Sequence, residues 1–74
     1  MRKRTAKGNV TAEARRRYGD KEGRFPIFDR RSAEAALRLR GHARSEAERQ
    51  RIIRRAERYA PEAARRAREV DRNR

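Results

Sequence analysis

Seventy-four residues leave room for one small domain, and 34% hydrophobic against 47% charged residues leaves little apolar material for its core. The formal charge is +13, from 24 basic residues against 11 acidic, and all but three of the 24 are arginine. The absence of cysteine excludes disulfides and thiolate metal sites, and no apolar run approaches the ~20 residues that a membrane-spanning helix needs.

Residues 1–10 carry Arg2, Lys3, Arg4 and Lys7 with almost no apolar content, the pattern of a flexible basic arm ahead of a helical domain over 11–74. A two-turn helix is predicted after Thr11, which serves as N-cap, with Glu13 in the first turn and Gly19 as a left-handed stop. Too short to be stable alone, it needs Tyr18 docked on the rest of the chain. Gly19-Asp20-Lys21-Glu22-Gly23 reads as a solvated turn; its two carboxylates fall short of a metal-ligand set.

Phe25-Pro26-Ile27-Phe28 holds both phenylalanines. Pro26 keeps Phe25 extended and has no amide hydrogen to donate, so the stretch is a lead-in to the helix that follows. That helix spans roughly Ser32 to Arg40, capped by Asp29 or Ser32 and ended by Gly41. Ala33, Ala36, Leu37 and Arg40 share one face, on which Ile27 or Phe28 closes as a hydrophobic staple.

Ser45-Glu46-Ala47-Glu48 is a capping-box sequence and opens a helix over about 46–59. At 100° per residue, Ile52, Ile53, Ala56, Tyr59 and Ala60 gather on one side, and Arg51, Arg54, Arg55 and Arg58 on the other. Pro61 suits the first position of a further helix over 61–71. Ala63, Ala64, Ala67 and Val70 form its apolar side, and Arg65, Arg68 and Arg72 form a basic stripe that Glu62, Glu69 and Asp71 dilute. The expected buried set is Phe25, Ile27, Phe28, Leu37, Leu39, Ile52, Ile53, Ala56, Tyr59 and Val70.

These residues give catalysis little to work with. His42 is the single histidine and falls in a turn, both serines are taken up as caps, and no glycine-rich phosphate loop is present. A non-enzyme without cofactor or metal is expected. Binding is better provided for. Arginine stripes bridge phosphates through forked donor pairs, and an excess of bases over acids draws polyanions, nucleic acid first among them. The candidate contacts are Arg2, Lys3, Arg4 and Lys7 of the arm, Arg51, Arg54, Arg55 and Arg58, and Arg65, Arg68 and Arg72. No glutamine or asparagine lies on the 51–58 stripe to read adenine, so contact with the phosphate backbone, DNA or RNA, is expected rather than base readout. Apolar faces built mostly of alanine, without tryptophan, argue against a membrane surface.

From Tyr18 to Arg55 the order of an aromatic residue, a Gly/Asp/Lys turn, Phe25-Pro26-Ile27, an aspartate, Ala33, Ala36-Leu37, Gly41 and Ile52-Ile53-Arg54-Arg55-Ala56 resembles a short helical segment that recurs in actinobacterial and actinobacteriophage proteins. Where that segment has tyrosine before Pro-Ile, this chain has Phe25. The resemblance covers about half of the chain and carries no assigned site residues. It implies a phage or actinobacterial setting, cytoplasmic or virion-associated. It adds an alternative function, a virion structural or interaction protein docking its arginine faces on an acidic protein surface in a phage particle or host complex. The fold expected is all-α, three to four helices behind a flexible basic N-terminal arm.

Overall fold

The computed structural model describes residues 2–20 and 22–73. It is helical: α1 spans Ala12–Tyr18, α2 Arg30–Arg38, α3 Glu46–Glu57 and α4 Pro61–Arg72, with a 3-10 turn at Arg40–His42 between α2 and α3. The helices begin where short polar side chains and proline dictate. Thr11 Oγ1 accepts from the Ala14 amide at 3.2 Å and Ser45 Oγ from the Glu48 amide at 3.1 Å. At α2 both proposed caps act together. Asp29 Oδ1 accepts from the Ser32 amide at 2.7 Å, and Ser32 Oγ accepts from the Asp29 amide at 3.0 Å, closing a reciprocal capping box. At α3 the reciprocal half is not made, because the Glu48 carboxylate accepts instead from Arg24 and from the Arg44 amide.

Two glycines act differently from the expectation. Gly41 does not stop α2; Leu39 ends that helix and Gly41 lies within the 3-10 turn. Gly19 is not left-handed, with φ −87° and ψ −173°. It is needed for closeness: a Cβ there would stand 2.5 Å from the Arg15 carbonyl oxygen and 2.8 Å from that of Arg24.

Helices α2, α3 and α4 pack around Ile53, the one large side chain among the described residues that is fully buried. Among the described residues, seven of the twelve buried apolar side chains are alanines, so helix backbones must approach closely for the core to fill. The molecule is only 18 Å thick along its shortest axis, less than two helix diameters of about 10–12 Å, which leaves each helix one inward stripe. Ile27 enters this core, while Phe28, just before the Asp29 cap, lies buried against Tyr18 with ring centroids 5.3 Å apart.

The expected buried set needs correcting in two places. Leu39 is 51% exposed and Val70 53% exposed. Leu39 follows Leu37 by two residues, roughly 200° around a helix, so both cannot face inward. At Val70 the last turn of α4 directs Asp71 inward instead. The Asp71 side chain is 6% exposed and meets Arg40 at 3.0 Å, so it ties α4 to the end of α2 rather than diluting an outer stripe. Arg40 also donates to the Leu37 carbonyl at 2.7 Å. Phe25 and Tyr59 are partly buried against the core.

The arm needs a larger correction. Residues 3–10 fold back as a small hairpin, with an antiparallel bridge between Arg4 and Val10 and a turn at Gly8 (φ +86°). Thr5 N–H donates to the Asn9 carbonyl at 2.7 Å, and Thr11 N–H to that of Lys3 at 2.9 Å. Arg4 Nη2 bonds both oxygens of Asp29, at 3.0 and 3.1 Å, while Nη1 donates to the Gly8 carbonyl. A guanidinium nitrogen shared by both oxygens of a helix-capping carboxylate is a charge-assisted pair, which composition does not reveal.

Gly19→Ala is expected to destabilise the fold by about 2 kcal/mol or more, since backbone and not a flexible side chain blocks the added carbon. Gly41→Ala, with nothing within 4 Å of its Cβ, is expected to be neutral or stabilising by up to about 1 kcal/mol. Urea melts of the two variants check the contrast.

Burial pushes the Asp29 carboxyl up, but the hydrogen bonds from Ser32 and the Arg4 guanidinium outweigh it and hold the group below its usual range. A lowered folded-state value means that ionised Asp29 favours the fold. Its contribution is full above the ordinary aspartate value of about 4 and is lost as pH falls through the lowered one. Asp29→Asn is therefore expected to melt lower at pH 7 and to lose less stability than the parent between about pH 4 and 2. Thermal melts across that range measure both effects.

Candidate nucleic-acid interface

The distribution of 11 carboxylates among 24 basic side chains decides which arginines have charge left to offer. Folding gives Asp29 to Arg4, Asp20 and Glu48 to Arg24, Asp71 to Arg40, Glu22 to Arg44 and Glu57 to Arg68. Glu34 and Glu46 pair along their own helices with Arg30 and Arg49. Arg24 is the most connected of these cations. Besides its two carboxylates it donates to the His42 carbonyl at 2.8 Å and lies 4.9 Å from the centre of the Phe25 ring.

The expected contacts thus divide. Arg4 and Arg68 are held by internal carboxylates. Arg51, Arg54, Arg55 and Arg58 remain exposed along α3 and just beyond it, with no carboxylate partner among the described residues. Arg54, Arg55 and Arg58 line one shallow depression over Ile27. Arg65 and Arg72 are exposed on α4, where the Arg68–Glu57 pair marks its seam with α3. Arg2 and Lys7 are exposed on the hairpin, away from any described tie to the α3 stripe.

Tyr18 joins the hairpin, α1 and α3 into one basic surface. Its carbonyl, at the C-terminal end of α1 where orphan acceptors carry negative partial charge, accepts from the Arg55 guanidinium. The ammonium of Lys3 lies 5.3 Å from the centre of the Tyr18 ring and 5.5 Å from that of Phe28. Arg17 lies 5.9 Å from the same tyrosine ring. Lys3, Arg17 and Arg55 are therefore neighbours through a single residue. Arg17 is the member that sequence reasoning missed, because the Arg15-Arg16-Arg17 run points around a helix; its signal was adjacency to Tyr18.

The remaining polar groups near this surface serve the fold. Gln50 donates to Glu46 at 3.1 Å on the flank of α3. Asp20 is pushed up by burial but is lowered on balance by the amides of Arg24 and Glu22, which it accepts as the cap of its turn. His42 is exposed in the 3-10 turn. Among the described residues no group of three or more His, Cys, Asp or Glu could hold a metal ion, and no helix is long and apolar enough to cross a membrane.

Comparison with protein-family models, with curated proteins and with solved structures finds no match to this chain.

The stacked position of Lys3 makes a spectroscopic prediction. Its side-chain methylene protons are expected to be shifted upfield by the Tyr18 and Phe28 rings, and Tyr18→Leu to move them back towards random-coil values. A proton NMR spectrum of the two proteins tests whether the hairpin is docked.

Proposed function

We propose that the protein is a non-enzymatic nucleic-acid-binding accessory that works through the phosphate backbone. The observation supporting this reading is the stripe Arg51, Arg54, Arg55 and Arg58, exposed and without a carboxylate partner among the described residues, while eight of the 11 carboxylates pair with other arginines. Exposed guanidiniums on one helix face match a row of phosphates, since each offers a planar pair of donors and keeps its charge at any working pH. Lys3 and Arg17, joined to Arg55 through Tyr18, extend the surface beyond α3. With Gln50 turned to Glu46, the α3 face offers arginine alone, which positions a protein on nucleic acid without selecting a sequence.

The test is binding to a labelled random-sequence duplex across a salt series. Neutralising about six phosphates gives a fall of log affinity against log salt with a slope of roughly −5. Changing Arg51, Arg54, Arg55 and Arg58 to glutamine is expected to reduce that slope to about −2, because each lost phosphate contact removes about 0.9. A slope near zero for the parent protein would reject the reading and redirect the search to an acidic protein surface.

A further inference from the structure

A second basic site is built by residues that the α3 surface does not use. The hairpin, the turn after α1 and the outer side of α2 enclose an open cleft of about 690 Å³, within the range of small-molecule sites. Arg15 of α1 and Arg31 and Arg38 of α2 line it, and none of the three has a carboxylate partner among the described residues. The one lining carboxylate, Glu22, is engaged by Arg44 at 2.6 and 2.8 Å. Between these charges the lining is mixed, with Asn9, Ser32 and His42 beside an apolar strip. Phe25, Pro26 and Leu39 line the cleft there, and Leu39, turned outward by its position two residues after Leu37, is 51% exposed.

Two backbone features maintain this shape. Phe25, expected to be extended ahead of Pro26, instead sits at φ +52°, a left-handed conformation that is strained for an aromatic residue. Strain of this kind persists where surroundings enforce it and gathers at ligand sites. Gly8 occupies φ +86°, and a Cβ on it would lie 3.3 Å from Arg31 Nη1, so the absent side chain leaves room for that guanidinium beside the hairpin.

We infer that the cleft between the hairpin and α2 binds a nucleotide, an aromatic base carrying phosphate, with Arg15, Arg31 and Arg38 meeting the phosphate and Phe25, Pro26 and Leu39 meeting the base. The charge calls for an anion, the apolar strip for a flat ring, and guanidiniums on two walls for a group with oxygens on several sides. The same chemistry is offered by a free nucleotide and by one unstacked nucleotide of a single strand. The inference does not rest on the α3 surface.

Titration of the full chain with ATP, followed by amide NMR, tests it. Saturable shifts at Gly8, Arg31, Arg38 and Leu39, with residues 51–58 unmoved, are expected. Arg31→Gln/Arg38→Gln should weaken ATP by about tenfold or more, the size of one lost charged contact, while the four-glutamine α3 variant retains it. Leu39→Ser should weaken ATP but not inorganic tripolyphosphate, because the base alone meets that side chain. A 5′-phosphorylated single-stranded trinucleotide that binds more tightly than ATP through the same residues would assign the cleft to a strand, and equal or weaker binding to a free nucleotide. Tripolyphosphate matching ATP in affinity, shifts confined to 51–58, or indifference to both cleft variants would overturn the inference.

Discussion

The Asp29 carboxylate is the point at which the N-terminal part of the chain is fastened to the helical body. It accepts from the Ser32 amide to start α2 and, on both oxygens, from Arg4 Nη2, which brings in the hairpin. Each bond also improves the other. A carboxylate already held by its own helix needs little further ordering to receive an arginine, and the positive N-terminal end of α2 stabilises its charge. The hairpin then covers Phe28 and one side of Tyr18, aromatic surface that three alanine-faced helices would leave in water.

Scarce apolar material is accompanied by ion pairs at several of the places where elements meet. Arg24 joins the turn after α1 to α3, Arg40 joins the end of α2 to α4, and Arg68 joins α4 to Glu57. Of these, Arg40–Asp71 is the most enclosed, with the two side chains 18% and 6% exposed, and Arg40's bond to the Leu37 carbonyl uses a donor that would otherwise be left unpaired. More open pairs such as Arg44–Glu22 contribute little to stability but decide electrostatics, because each removes one carboxylate from the outer surface. Net charge says that arginines are in excess; pairing geometry says where the excess lies.

Beyond the exposed cations of the hairpin and α4, that geometry leaves two groups of arginines without carboxylate partners among the described residues. The α3 stripe runs along one helix face and borders a depression of about 530 Å³ beside Arg51 and Arg55 as well as the smaller one over Ile27. The cleft behind the hairpin is concave, has an apolar strip between its arginines, and suits a single small group.

Helix positions were legible from the chain alone because caps and periodicity are local. Thr11, Asp29 with Ser32, Ser45 and Pro61 set helix starts within a residue or two of where they occur, and Ile52, Ile53 and Ala56 marked the inner face of α3. The stripe of Arg51, Arg54, Arg55 and Arg58 follows from the same 3.6-residue period. Only tertiary structure decided the rest, since ion pairs across 25 or 31 residues carry no local signature. Those pairs docked the hairpin, turned Asp71 inward, took Arg4 out of the charged surface, and left Arg15, Arg31 and Arg38 around a cleft. A lone arginine reads the same in sequence whether it meets a carboxylate or solvent; which one it meets depends on the folded neighbourhood.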